Sequence, residues 1–221
     1  MFYGKIMIIV IEGVDGAGKT TIARLLENEL DATVVSASLE DFNPAVRAYV
    51  DKNPQDTMAH FKYYLEANIR VIDRVQKLCK EDHNVIVVFD RSIYSVIATN
   101  VALDRVYNKG KNITVMENIG FEIWENAPRP DLFILLRVDE LVRGLRMQLR
   151  DKKNDELDNN IAFVEQTEDA FRKISARLSS KGLPILEIDT TNISEKEVIE
   201  KIIGRINPIR SPQIIKQGRC R

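Results

Sequence analysis

The sequence predicts a three-layer α/β/α domain around a five-stranded parallel sheet, and two observations carry that expectation. Short runs recur that are apolar throughout rather than alternating, as strands buried on both faces are. Between them lie longer stretches whose apolar residues fall at helical spacing. Strands that alternate with helices close into a parallel sheet through right-handed crossovers, with helices covering both faces. A chain of 221 residues suits one domain, or at most two small ones.

Residues 6–11 are rich in β-branched side chains and read as the first buried strand. Residues 20–30 follow as a helix, with Ile22, Leu25, Leu26 and Leu30 on one stripe. Residues 33–35 begin a weaker second strand, and 44–50 form a short helix. Residues 57–80 make a long helix, with Phe61, Leu65, Ile69, Ile72, Val75 and Leu78 along one face. The third strand is 85–89, and 92–107 and 115–126 read as helices. The break Pro128-Arg129-Pro130 precedes a fourth strand at 132–138. A strongly basic helix at 140–153, another helix at 161–178, a fifth strand at 184–188 and a closing helix at 194–206 complete the chain. Ligands of such sheets bind beyond the carboxyl ends of the strands, so the site is expected after Ile11, Val35, Phe89, Val138 and Ile188.

Composition excludes several classes. Lys plus Arg is 32 and Asp plus Glu 33, a near-zero balance that argues against nucleic-acid binding as the main task. With 44% hydrophobic residues the chain is too apolar to be disordered. Cys79 and Cys220 are too few for a disulfide scaffold or a four-cysteine zinc site, and His60 and His83 do not make a histidine-rich metal centre. No stretch approaches the ~20 apolar residues of a membrane helix, and the run at 6–11 is too short for a signal-peptide core. The expectation is a cytoplasmic protein with reduced thiols and no membrane or nucleic-acid partner.

After the first strand, Gly13-Val14-Asp15-Gly16-Ala17-Gly18-Lys19-Thr20 fits G-x-x-x-x-G-K-[ST] at every fixed position. The glycines let backbone N–H groups converge on a polyphosphate, and the following helix N-terminus adds partial positive charge. Lys19 is expected to reach the β- and γ-phosphates of a nucleoside triphosphate, and the Thr20 hydroxyl to ligate Mg²⁺. Asp15 is an acid in a loop built for phosphates; it either forms a turn or faces a second ligand, such as an acceptor sugar.

The third strand ends in Asp90-Arg91-Ser92. An acid there holds Mg²⁺ directly or through water. A motor ATPase typically follows it with a carboxylate; Arg91 instead suits gripping phosphate, or a structural salt bridge. The GTPase motif N-K-x-D is absent, since Asn108-Lys109-Gly110-Lys111 lacks the acid, and D-x-x-G is absent outside the phosphate loop itself. Beyond the fourth strand, Arg143, Arg146 and Arg150 share one helix face. Like charges stacked this way suit a lid that closes over transferring phosphates; the alternative is a solvated basic face compensated by Asp151, Asp155, Glu156 and Asp158.

These residues together resemble the thymidylate kinase family, within the P-loop nucleoside and nucleotide kinases. The loop from Ile11 through Glu12 and Gly13 to Thr20 and Thr21 is similar to its E-G-x-D-G-x-G-K-[ST]-T, and Asp90-Arg91-Ser92-Ile93-Tyr94-Ser95-Val96-Ile97-Ala98 to its D-R-Y-x-x-S-x-x-A. Pro130-Asp131-Leu132 before the arginine helix, and Ile188-Asp189-Thr190-Thr191, resemble its later segments. The resemblance implies a P-loop kinase domain over 1–207, a short helical lid at about 139–158 and a basic tail at 208–221. It implies γ-phosphoryl transfer from Mg-ATP to dTMP or a related monophosphate, in a homodimer. Gly13 to Thr21 and Thr190 would bind ATP; Asp15, Tyr64, Arg70, Arg91 and Ser95 would bind the acceptor; Thr20 and Asp90 would hold the metal; Lys19, Arg91, Arg143, Arg146 and Arg150 would stabilise the transfer. Gly16 stands where some members carry a basic residue, and those lacking it supply lid arginines.

The departures open alternatives. The segment Ser38 to Pro44 is acidic and lacks the expected Arg, with Arg47 the next candidate, and Ser92 replaces a Tyr. Both features resemble deoxynucleoside kinases, in which a carboxylate such as Glu40 or Asp41 would deprotonate a sugar hydroxyl. A nucleotide-binding regulatory protein without turnover is the reading from another class.

Overall fold

The computed structural model describes residues 6–36, 43–149 and 160–210, with Arg210 by its backbone only. The strands are β1 Met7–Glu12, β2 Thr33–Val35, β3 Ile86–Asp90, β4 Leu132–Arg137 and β5 Ile185–Asp189. The helices are α1 Lys19–Leu30, α2 Pro44–Lys52, α3 Thr57–Glu81, α4 Ile93–Asn108, α5 Ile113–Glu125, α6 Glu140–Gln148, α7 Ile161–Ser180 and α8 Glu195–Arg210. The sheet is parallel throughout in the order β2-β3-β1-β4-β5. The predicted three-layer architecture is therefore borne out.

All six residues of β1 are buried because both its faces are covered. Met7, Ile9 and Ile11 pack with Ile22 and Leu26 of α1 and Ile202 and Ile206 of α8. Ile8 and Val10 point the other way, toward Phe61 of α3, Tyr94 and Ile97 of α4, Phe121 of α5 and Phe171 of α7. Each such large side chain contributes roughly 1.5–3 kcal/mol on burial, which holds β1 at the centre of the sheet. With β3 on one side of β1 and β4 on the other, the crevice at the carboxyl edge opens above β1, where the glycine-rich loop begins.

Helix starts follow local chemistry. Asn43 accepts from the Val46 N–H ahead of Pro44, Asp56 from Ala59, Asp139 from Leu141 and Asn160 from Phe163. Ser194 and Glu197 form a reciprocal capping box at the start of α8. That helix runs through Pro208 to Arg210, three residues beyond the expected boundary at 207. Its missing N–H falls in the last turns, while Ile202 and Ile206 keep the helix seated on the core. The basic helix is described to Gln148; positions 150–158 of the expected lid and 211–221 of the expected tail lie outside the described residues.

Candidate active site

The loop after β1 is shaped by its glycines. Gly13, Gly16 and Gly18 have φ of +141°, +88° and +95°, in the region that side chains avoid. A Cβ on Gly13 would overlap the Leu136 carbonyl oxygen, whereas one on Gly18 would meet nothing within 4 Å. The loop thus presses on β4 on one side and stays open where α1 begins.

Lys19 folds back into this loop. Its side chain is only 3% exposed, and Nζ donates to the Val14 carbonyl at 2.7 Å and to Asp15 Oδ1 at 3.3 Å. Burial, reinforced by the neighbouring Arg91 charge, lowers its pKa to about 8. Asp15 also accepts from the Arg91 guanidinium. Burial pushes the Asp15 carboxyl up, but Arg91 and Lys19 outweigh it and hold it well below the usual carboxylate range.

The carboxyl end of β3 delivers the next two groups. Asp90 is buried and accepts from the Thr20 hydroxyl at 2.7 Å through Oδ2, while Oδ1 has no hydrogen-bond partner among the described residues. Its backbone carbonyl accepts from Ser36 Oγ at 2.8 Å, which fixes the end of β2 against β3. Arg91 has φ of +71°, a left-handed conformation rare for a residue with a side chain. Asp15, Lys19, Thr20, Asp90 and Arg91 are thereby brought into one polar cluster from two strand ends.

Arg143 and Arg146 of α6 lie against Gly16 of the phosphate loop. Arg143 is buried and donates through Nε at 2.6 Å and Nη2 at 2.8 Å to Glu140, one turn earlier. Arg146 donates to the Gly16 carbonyl at 3.3 Å, to Thr190 Oγ1 at 3.0 Å and to the Thr190 carbonyl at 2.7 Å. Glu140 therefore neutralises part of the stacked positive charge that the spacing of the arginines created. Arg150, Glu40 and Asp41 lie outside the described residues. Thr21 is exposed on the first turn of α1.

The remaining expected residues are engaged elsewhere. Tyr64 donates to Asp51 of α2 at 3.0 Å, and Asp51 also pairs with Arg47 at 3.7 Å. Arg70 pairs with Glu66 at 2.8 Å, with both side chains about half exposed. Such a surface pair contributes only a few tenths of a kcal/mol. Ser95 points its hydroxyl at Glu12. Glu12 itself is a site residue to which the sequence reading assigns no role: it is fully buried, takes four donors from Ser92 and Ser95, and its carboxyl is pushed up by that burial. The signal for it was an acid closing an otherwise apolar buried strand.

Comparisons with known proteins agree on the fold. A family model described as deoxynucleoside kinase matches residues 9–210. A probable thymidylate kinase of Methanococcus maripaludis is 29% identical over 206 residues, covering 90% of this chain and 94% of that protein. The thymidylate kinase of Schizosaccharomyces pombe is 25% identical over 209 residues, covering 91% and 92%. Among solved structures, thymidylate kinase from Candida albicans superposes with a TM-score of 0.70 at 19% identity, over 93% of each chain. Deoxyadenosine kinase from M. mycoides with bound dATP gives 0.66 at 21% identity, over 91% of this chain and 100% of that one.

Proposed function

Since the chain belongs to the deoxynucleoside kinase family, we propose that it transfers the γ-phosphoryl group of ATP to dTMP or a related deoxynucleoside monophosphate, giving the diphosphate and ADP. The observation that carries the choice of acceptor is the state of the site carboxylates. Asp15 is bound to Arg91 and Lys19, Asp90 accepts from Thr20, and both oxygens of Glu12 are occupied. Among these described acids only Asp90 keeps an unpartnered oxygen, Oδ1, which this reading gives to Mg²⁺, so none is left over to deprotonate a sugar hydroxyl. A monophosphate needs no such base, because its attacking oxygen is already ionised. The curated relatives named thymidylate kinase support the same choice.

In this reading catalysis is positional and electrostatic. Lys19 exchanges the Val14 carbonyl and Asp15 for phosphate oxygens. Arg91, fixed by its own turn, neutralises charge as the phosphoryl group moves in line between donor and acceptor oxygens. Asp15 contacts the acceptor across the loop, and Tyr64 and Arg70 join it by leaving Asp51 and Glu66, while Ser95 lines the site from its place on Glu12. Arg143, Arg146 and Arg150 act from a lid over 139–158, with Gly13 to Thr21 and Thr190 around ATP. Mg²⁺ supplies charge neutralisation between the phosphates when bound. Thr20 Oγ1 and the partnerless Asp90 Oδ1 are the atoms suited to hold it.

The reading includes a homodimer, in keeping with the family resemblance, and a cytoplasmic location. No helix among the described residues is long and apolar enough to cross a membrane. A deoxynucleoside kinase is the second reading, favoured by the description of the family model and by the acids Glu40 and Asp41. An ADP-release assay at constant Mg-ATP separates them. Turnover with dTMP and not thymidine supports the proposal; turnover with a nucleoside alone overturns it and directs mutation to Glu40 and Asp41.

A further inference from the structure

We infer that Glu12 is a positioning residue for the phosphoryl transfer proposed above: its buried carboxylate pins the left-handed turn that aims Arg91 at the phosphate loop. The inference rests on that reading for the identity of the reaction, but not for the geometry.

The turn is held from both sides. In the ladder between β1 and β3, Ile11 lies opposite Asp90, and the Arg91 N–H donates to the Ile11 carbonyl at 3.1 Å. One residue later the backbone has left the ladder, since Arg91 has φ of +71°. The next N–H, that of Ser92, then finds a side chain in place of a strand: it donates to Glu12 Oε1 at 2.8 Å. Consecutive backbone donors on either side of Arg91 are thus tied to consecutive residues of β1, one through a carbonyl and one through a carboxylate. An unfavourable backbone conformation persists only when its surroundings over-determine it, and these two bonds do so.

The same carboxylate also anchors the start of α4. Glu12 Oε1 accepts from the Ser92 hydroxyl at 2.7 Å and from the Ser95 N–H at 3.3 Å, and the Ser95 hydroxyl donates to Oε2. The Ser92 hydroxyl in turn accepts from the Tyr94 N–H at 3.2 Å, capping α4. Glu12 therefore sits as a hydrogen-bond acceptor at the N-terminus of a 16-residue helix. Between the end of β3 and the anchored start of α4, the Arg91 guanidinium meets Asp15 of the phosphate loop. Glu12 is not a proton acceptor in this scheme, because both its oxygens are already engaged and it is fully buried.

A purely structural acid would tie β1 to α4 without regard to Arg91. The two roles differ in coupling. The test uses the full chain with Glu12→Gln and Glu12→Ala, each alone and combined with Arg91→Ala, and compares kcat with KM for ATP on whichever acceptor the wild type turns over best. Glu12→Gln keeps an oxygen for the three Oε1 donors and is expected within about threefold of wild type. Glu12→Ala is expected to lower kcat about tenfold or more with KM for ATP little changed, and the double variant to be no slower than Arg91→Ala alone. A second readout needs no turnover: the guanidinium NMR signal of Arg91 in the ligand-free protein, assigned by its loss in Arg91→Ala. It is expected to keep its ion-paired position in Glu12→Gln and lose it in Glu12→Ala. Should Glu12→Ala not fold, Glu12→Asp keeps the charge on a side chain one methylene shorter and carries the same expectation. Additive losses in the double variant, or an Arg91 signal unmoved by Glu12→Ala or Glu12→Asp, overturn the inference. Failure of dTMP as acceptor overturns the proposed function alone, because the NMR signal still decides on Glu12.

Discussion

Arg143 crosses Gly16 so closely that a Cβ at position 16 would stand 2.7 Å from the Arg143 Cγ and 3.3 Å from its carbonyl oxygen. An arginine of α6 therefore occupies the space that a side chain in the phosphate loop would need. A basic residue at position 16 and Arg143 in this position are sterically exclusive, which gives a physical basis for supplying the charge from α6. The loop glycines are then expected to differ in their response to alanine. Gly13→Ala meets backbone, the Leu136 carbonyl, which cannot yield; Gly16→Ala meets a side chain that can shift; Gly18→Ala meets open space and carries only the cost of its φ of +95°. Strain of that last kind is roughly 1–3 kcal/mol, so stability in chemical denaturation should fall in the order Gly13→Ala, Gly16→Ala, Gly18→Ala, with Gly13→Ala worst. Equal losses at Gly13 and Gly18 would show that the contact with β4 carries no weight.

Lys19 sets the alkaline side of the pH profile. Its pKa is lowered from the ordinary 10.5 to about 8, by burial first and then by Arg91. The ammonium is needed to meet ATP, so kcat/KM for ATP, which reports groups of the free enzyme, should decline above pH about 8. Stability runs the opposite way. Between pH 8 and 10.5 the unfolded chain binds more protons at this lysine than the folded one, so its contribution to stability rises with pH across that window. Arg91→Ala removes one cause of the lowering and should move the alkaline limb upward. A limb unmoved by Arg91→Ala would assign it to another group.

Much of this site is local in the chain and was legible for that reason. The phosphate loop is one contiguous string, and its glycines, Lys19 and Thr20 stand where the spacing puts them. Strands covered on both faces announce themselves by continuous apolar runs, and helices by residues such as Asp56 and Asn160 that cap them. What each charged side chain touches is a different matter. Asp15 meets Arg91 across 76 positions, Ser92 meets Glu12 across 80, and Arg146 meets Thr190 across 44. No periodicity encodes such partners, because they depend on which strand ends the sheet order brings together. The Glu140–Arg143 and Glu66–Arg70 pairs differ: they are i,i+3 and i,i+4 spacings on one helix, readable in principle from the chain alone.

Arg146 joins three segments, since α6 carries it, Gly16 belongs to the phosphate loop and Thr190 follows β5. Charged hydrogen bonds of this kind contribute about 1.5–3 kcal/mol each when one partner is removed. Arg146→Ala is expected to raise KM for ATP by about tenfold or more, because α6 loses its anchor on the loop after β5, where the proposed function places Thr190 against ATP. Thr190→Val keeps the carbonyl that receives the 2.7 Å bond and should cost less. Steady-state kinetics with varied ATP checks both. A larger effect from Thr190→Val would mean that the hydroxyl, rather than the carbonyl, anchors the lid.

Tyr94 carries a hydroxyl that the fold does not use. The residue is fully buried, with its ring against Trp124 at 4.5 Å, Phe133 at 5.4 Å and Phe121 at 6.4 Å between centroids. The oxygen has no hydrogen-bond partner among the described residues, and burial together with the nearby Glu12 charge pushes its pKa far up, so it stays protonated. A buried polar group left unpaired costs about 1–3 kcal/mol, whereas the aromatic contacts survive its removal. Tyr94→Phe should therefore leave stability unchanged or raise it by about 1 kcal/mol, with kcat unaffected because the side chain of Tyr94 packs in the core with Phe121 and Phe133. Tyr64→Phe is the control, since it deletes a hydroxyl that donates to Asp51 at 3.0 Å and should lower stability by about 0.5–1.5 kcal/mol. Urea denaturation of the two variants beside the wild type reads both signs. A loss at Tyr94 as large as that at Tyr64 would mean that the Tyr94 hydroxyl has a bonding partner, such as a buried water, in solution.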